Sequence, residues 1–310
     1  MTQVPRVLAI VGPTASGKSA VADLVAHDLA TSQVSVDAMQ VYRGMDVGTA
    51  KTPVSERHSP LLMVDVADPS EDFSAARFQL AARAEVDRLL ARGKVPVLCG
   101  GTGLYLDAVI DKMDFPSGDV SSPSRARYAR IADEEGADAL HALLEERDPA
   151  SARLIHPHNV RRVQRALEMC DEGRSYAAAS GGLHDHQEHY HALIVGLMVD
   201  RRDLRRRIDG RVDAMFASGL VDEVHGLAER GLTPDSTAGQ AIGYKEVLAY
   251  LAGTVSLPVA VELVKTHTRQ YAKRQLTWFR RDGRVRWVDV GDRDARSLAS
   301  EVCGMWGEGR

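Results

Sequence analysis

Residues 12–19 read Gly12-Pro13-Thr14-Ala15-Ser16-Gly17-Lys18-Ser19, a match to GxxxxGK[ST] with a β-branched run before it and a helical pattern after it. These residue types suit one kind of ligand. Glycines let the backbone curl until several N–H groups point into one concavity. The helix N-terminus that follows adds partial positive charge and Lys18 a full one, while the Ser19 hydroxyl can ligate Mg2+. The loop specifies a polyphosphate site and leaves open which polyphosphate.

A second constellation follows the next β-branched run, in Val34-Ser35-Val36-Asp37-Ala38-Met39-Gln40. A carboxylate at the carboxyl end of a strand beside the phosphate loop faces the crevice where open α/β sheets bind ligands. Asp37 there can hold magnesium or take a proton, or it can cap the next turn. The Gln40 amide offers a donor and an acceptor together, which matches the edge of adenine, although a surface glutamine has the same composition. Four histidines crowd residues 184–191 (His184, His186, His189, His191) without a supporting carboxylate–cysteine pattern, so they read as loop and not as a metal centre. Cys99, Cys170 and Cys303 show no paired spacing, which excludes a disulfide framework or zinc knuckle and fits a reducing compartment.

Elements must bring these groups together. Strands are expected at Arg6–Val11, Val34–Asp37, Val95–Cys99, His191–Met198 and Arg286–Val290. Helices are expected at Gly17–Ala30, Ala75–Arg92, Ser124–Glu135, Ala137–Glu146, Pro149–Leu154, Asn159–Glu172, Arg201–Ser218, Leu220–Arg230, Gln240–Leu251 and Pro258–Arg281, then an amphipathic tail. Strands alternating with helices predict an α/β fold, a P-loop NTPase-like parallel sheet flanked by helices. The Pro/Ser/Gly/Asp stretch Asp114–Pro123 is the expected hinge into a helical insertion domain, and Ser175–Tyr190 is expected to be a mobile loop. The layout is a first core part at 1–115, an insertion at 116–190 and a second core part at 191–310.

The 310 residues are 44% hydrophobic and 26% charged, an ordinary globular composition. No apolar run approaches the ~18 residues of a membrane span, and the apolar run at Val7–Val11 leads into the phosphate loop, as a buried strand would. The expectation is a soluble, cytoplasmic protein. The formal charge of −4 is uneven: residues 1–150 hold 15 Lys+Arg against 22 Asp+Glu, and the second half is net basic. Arginines cluster at Arg161, Arg162 and Arg165, six fall between Arg201 and Arg211, and eight basic residues lie between Lys265 and Arg286. Such stripes suit a polyanion, and a solvated helix face gives the same count.

Five ordered blocks beyond the loop carry a resemblance: DAMQVYRGMDVGTAK from Asp37, GGTGLYLDAV from Gly100, HPHNVRRVQRALE from His156, QAIGYKE from Gln240 and RQYAKRQLTWFRR from Arg269. Together they resemble the tRNA dimethylallyltransferases, the bacterial tRNA isopentenyltransferases, over nearly the whole chain. The resemblance implies transfer of a prenyl group from dimethylallyl diphosphate to N6 of the adenosine 3′ of the anticodon, with release of diphosphate. It implies that the loop Gly12–Ser19 cradles the donor's diphosphate instead of a nucleoside triphosphate, with Lys18 catalytic and Ser19 near Mg2+. Asp37 corresponds to the general base, and Thr102 to the threonine where donor and acceptor meet.

The implied tRNA contacts are Asp37, Ala38, Met39, Gln40, Thr102 and Arg125; then Arg161, Arg162, Val163, Gln164 and Arg165; then Gln240, Ala241, Ile242, Gly243, Tyr244 and Lys245. A last group is Lys273, Arg274, Gln275, Leu276, Thr277, Trp278, Phe279 and Arg280. The partner is the anticodon stem-loop, and the enzyme is expected to act as a monomer. The rival activities are prenylation of free AMP, ADP or ATP, a small-molecule P-loop kinase, and a non-catalytic RNA-binding protein.

Overall fold

The computed structural model describes residues 6–115, 123–181 and 186–308. Most of the expected hinge at Asp114–Pro123, and His184, lie outside the described residues. The chain divides into two compact units, Met1–Lys112 with Glu188–Arg310, and Met113–Gln187.

The first unit begins β1 (Arg6–Val11), α1 (Lys18–Asp28), β2 (Gln33–Ser35), β3 (Leu61–Leu62), α2 (Ala75–Ala91), β4 (Val97–Gly100) and α3 (Gly103–Ile110). It resumes with β5 (His191–Met198), α9 (Arg201–Ala217), α10 (Leu220–Glu229), α11 (Tyr244–Leu251), α12 (Leu257–Phe279), β6 (Val285–Asp289) and α13 (Ala295–Glu308). The six strands form one sheet in the order β3-β2-β4-β1-β5-β6. Every pairing is parallel. The α/β expectation therefore holds.

Alternation along β1 explains why the sheet needs cover on both faces. Val7, Ala9 and Val11 join a core with Phe78 and Ala82 of α2, Val109 of α3 and Val247 of α11. Leu8 and Ile10 point into the other core, with Val21 and Val25 of α1, Ile208 of α9 and Val302 of α13. Each fully buried valine, leucine or isoleucine among them contributes roughly 1.5–3 kcal/mol relative to exposure.

The second unit is helical: α4 (Pro123–Glu134), α5 (Ala137–Arg147), α6 (Pro149–Leu154), α7 (Val160–Asp171) and α8 (Tyr176–Gly181). Tyr128, Leu140, Leu144, Val163 and Leu167 form its core. Asp148 caps α6 by accepting from the Ser151 amide at 3.1 Å. The buried Glu168 carboxylate takes a forked pair of hydrogen bonds from Arg125 at 2.7 and 3.1 Å, and one from Arg165 at 3.0 Å.

Three expectations change. The stretch expected to be a mobile loop contains α8, whose Ala177 amide donates to Ser151 Oγ at 2.8 Å. The two-residue β3, too short to show alternation, was not anticipated. The helix expected from Gln240 starts at Tyr244, because Gly243 sits at φ 97°, outside helical space, and its N–H donates to Glu246 at 2.7 Å. No helix among the described residues is long and apolar enough to cross a membrane.

Candidate active site

One cavity of about 450 Å³ collects chemistry from several parts of the first unit. The phosphate loop after β1 contributes Thr14, and Lys18 and Ser19 open α1. The segment after β2 contributes Asp37, Ala38, Met39 and Gln40, and the end of β4 contributes Thr102. Gln240, Ala241, Ile242 and Tyr244 come from the approach to α11, and Arg274 and Gln275 from α12. The cavity thus sits outside the carboxyl ends of β1, β2 and β4, where an open parallel sheet is expected to bind ligand.

The loop's backbone carries strain, with non-glycine Ala15 at φ 64°. Lys18 Nζ donates to the Pro13 carbonyl at 3.2 Å. Burial pushes its ammonium below the ordinary lysine pKa, Arg211 pushes the same way, and Asp37 pulls it back. Thr14 differs from the expected cradle in one respect. Its N–H is already donated to Gln275 Oε1 at 2.8 Å, while Gln275 Nε2 donates to the Gly101 carbonyl at 3.0 Å. The glycine pair permits this approach: a Cβ on Gly101 would stand 2.1 Å from Gln275 Nε2.

Asp37 lines the cavity and caps the turn that follows it. Its Oδ1 accepts from the amides of Met39 at 2.9 Å and Gln40 at 3.3 Å, capping the turn, and no bond to Oδ2 forms among the described residues. Thr102 Oγ1 accepts from the Ala38 amide at 3.1 Å and lies 3.5 Å from the Tyr271 hydroxyl. Burial pushes the Tyr271 phenol up to about 12. Gln40 Oε1 accepts from Ser35 Oγ at 2.8 Å, and its Nε2 donates to the Thr49 carbonyl at 3.3 Å.

Among the cavity residues that escaped sequence reasoning are Arg211 and Tyr271. Arg211 of α9 lines the cavity and has no ion-pair partner among the described residues. Burial pushes its pKa down and the Asp37 carboxylate holds it up. Part of the signal was available: Arg211 lies three residues after buried Ile208 and four before Met215, on the half-buried side of α9 that it shares with Arg207. A charge on a core-facing stripe marks a site. Tyr271 was hidden inside a block read for its basic residues.

The remaining expected residues are not in the cavity. Arg125, Arg161, Arg162, Val163, Gln164 and Arg165 belong to the second unit. There Val163 is 0% exposed, a core residue with no surface for a polynucleotide, and Phe279 of α12 is likewise buried at 2%. Both expected contacts are corrected to packing. Arg125 and Arg165 direct their guanidinium groups at Glu168, whereas Arg161 and Arg162 are exposed. Lys273, Thr277 and Arg280 are exposed at spacings of four and three, one face of α12. Leu276 is partly buried against the sheet, and Trp278 Nε1 donates to Asp107 at 2.9 Å. Gly243 and Lys245 flank the cavity residue Tyr244 without lining it, and Gly12, Pro13, Ala15, Ser16 and Gly17 shape the loop from behind.

The donor set also bears on a metal. No group of three or more acidic, histidine or cysteine side chains that could hold an ion occurs among the described residues. Mg2+ commonly takes one or two protein oxygens and completes its shell with phosphate and water, so the exposed Ser19 hydroxyl beside an anion site fits it.

Comparison with known proteins shows the family. The family model described as IPP transferase matches residues 40–282. A tRNA dimethylallyltransferase of Geobacillus kaustophilus is 45% identical over 299 residues, covering 96% of this chain and 94% of that one. The crystal structure of a tRNA delta(2)-isopentenylpyrophosphate transferase from Staphylococcus epidermidis superposes with a TM-score of 0.73 at 36% identity, over 99% of this chain and 100% of that one. A eukaryotic dimethylallyltransferase described as acting on tRNA gives a TM-score of 0.80 at 28% identity, over 96% of this chain and 77% of that one.

Proposed function

The chain belongs to the IPP transferase family of tRNA dimethylallyltransferases, and on that premise we propose that it transfers a dimethylallyl group from dimethylallyl diphosphate to N6 of the adenosine 3′ of a tRNA anticodon, releasing diphosphate. The observation that carries this reading is the meeting, in one cavity, of a phosphate loop and Arg211, which has no ion-pair partner among the described residues, with a carboxylate and an amide suited to adenine.

The donor's diphosphate rests against the loop's free N–H groups, Lys18 and Arg211. An anion there restores the Lys18 ammonium that burial disfavours, and these cations oppose the negative charge that grows on the leaving group. Ser19 would hold Mg2+, which when bound supplies further charge neutralisation on the diphosphate.

The acceptor amine is a weak nucleophile because its lone pair is delocalised into the purine. As N6 bonds to the prenyl C1, the C1–O bond breaks and its electron pair leaves with diphosphate. The N6 proton passes to Asp37 Oδ2, the oxygen not engaged by the turn. Delivery of the base from a stacked anticodon loop costs a few kcal/mol. The exposed basic faces of α7 and α12 are suited to recover it through phosphate contacts. We place the reaction in the cytoplasm, with the chain acting as a monomer.

Incubation with dimethylallyl diphosphate, Mg2+ and an anticodon stem-loop should add one five-carbon unit to the RNA. Prenylation of free AMP with none of the stem-loop would overturn this function, as would consumption of nucleoside triphosphate without prenylation.

A further inference from the structure

The loop after Asp37 is held from a distance. Glu223, in the first turn of α10, places one carboxylate against three consecutive backbone amides: Asp46 N and Val47 N donate to its Oε2 at 2.9 and 2.7 Å, and Gly48 N donates to its Oε1 at 3.2 Å. The Tyr244 hydroxyl, from a ring with no exposed surface, donates to the same Oε1 at 2.6 Å. An ionised carboxylate only accepts, so four donors converging on it satisfy both its oxygens. The Tyr244 ring also closes the space beside Gly48, where a Cβ would lie 2.5 Å from the ring. Lys51 fixes the far end of the same turn through Tyr42 O at 2.6 Å and Asp46 at 2.9 Å.

This matters for Gln40. Thr49 follows the clamped amides directly, and its carbonyl receives Gln40 Nε2. A carbonyl cannot donate, so the nitrogen of the Gln40 amide must be on that side and the oxygen on the side of the Ser35 hydroxyl. Each anchor uses one donor or one lone pair, which leaves one N–H and one lone pair on Gln40 in a fixed order. A flipped amide would present the reverse order, complementary to a base with donor and acceptor exchanged.

We propose that Glu223 is a positioning residue for base selection: by clamping residues 46–48 it holds the Thr49 carbonyl that fixes the Gln40 amide in the orientation selecting adenine. This rests on the proposed function, in which Gln40 meets the target base. Glu223 does not line the cavity; it acts through the loop, and its bond from Tyr244 holds the ring that closes the loop's flank.

The test measures kcat and KM for donor and stem-loop, and the binding of stem-loops carrying adenosine or guanosine at the target position. Parent, Glu223→Gln, Gln40→Ala and the double variant are compared, with thermal unfolding alongside. Glu223→Gln replaces an acceptor with an NH2 that opposes the incoming amides. It should lower the preference for adenosine at least tenfold, leave donor KM within about twofold, and add nothing once Gln40 is alanine. A Glu223→Gln enzyme with parental preference, or with equal further loss in the Gln40→Ala background, overturns the clamp. If Gln40→Ala itself keeps the preference, the assignment of Gln40 as base reader fails instead. Should Glu223→Gln not fold, Glu223→Asp, whose shorter carboxylate cannot span all three amides, replaces it and must show a partial loss.

Discussion

Gln275 and Thr14 are separated by 261 positions in sequence and joined by one hydrogen bond of 2.8 Å, from the Thr14 amide to the Gln275 side chain. Through its other end Gln275 reaches Gly101, so a single buried side chain of α12 sets the phosphate loop against the β4 turn that carries Thr102. A residue inside a stretch expected to touch RNA thus holds the phosphate loop in place.

Gln275→Leu should therefore act on the donor. Thr14 N–H and Gly101 C=O would both lose a buried partner, each loss worth about 1–3 kcal/mol. Donor KM should rise well above tenfold while stem-loop affinity moves less than threefold. Calorimetric unfolding and steady-state kinetics check both. An unchanged donor KM would sink the idea.

Asp37→Asn keeps an oxygen for the Met39 and Gln40 amides and so preserves the turn. It removes the proton acceptor of the proposed mechanism. Turnover should fall by about 10²–10⁴-fold with stem-loop binding within a few-fold of the parent, measured by single-turnover assay and equilibrium binding.

Arg211 carries charge into the cavity with no protein partner among the described residues. Arg211→Gln should weaken donor binding by roughly 1.5–3 kcal/mol, about ten- to a hundredfold in KM. Isothermal titration with diphosphate checks it directly.

Exposed Arg162 of α7 should separate from Arg165, which reaches buried Glu168. Arg162→Ala should reduce the slope of log K against log salt for stem-loop binding by roughly 0.7–0.9 of a unit with little effect on melting. Arg165→Ala removes a partner of buried Glu168 and should lower the melting temperature.

Acid should destabilise the first unit through Asp23. Its buried carboxylate accepts from Ser59 N at 2.9 Å, Ser59 Oγ at 2.8 Å, His58 N at 2.9 Å and Gln33 at 3.0 Å. Burial opposes ionisation, but the bonds from His58 and Ser59 outweigh it and hold the pKa below the usual aspartate value of 3.8. A folded pKa below the unfolded one gives stability that is full above about 3.8 and is lost as pH falls through the folded value. Asp23→Asn should be less stable than the parent at pH 7, with the gap closing in urea unfolding below pH 4.

Local sequence was enough for the phosphate loop, the strand-end Asp37, the parallel sheet and the basic helix faces, because each depends on spacing within one element. The phosphate loop is a contiguous motif, β1 alternates between two cores, and α12 displays Lys273, Thr277 and Arg280 by helical period alone. What only tertiary structure decided is which side chain of each stretch faces inward and what it meets there. Gln275, Arg211 and Glu223 look like neighbours of their kind in sequence, and Val163 and Phe279 look like members of basic motifs. Their roles come from packing: hydrogen bonds between Thr14 and Gln275, or between residues 46–48 and Glu223, join residues more than 170 positions apart, and no local period records such a pairing.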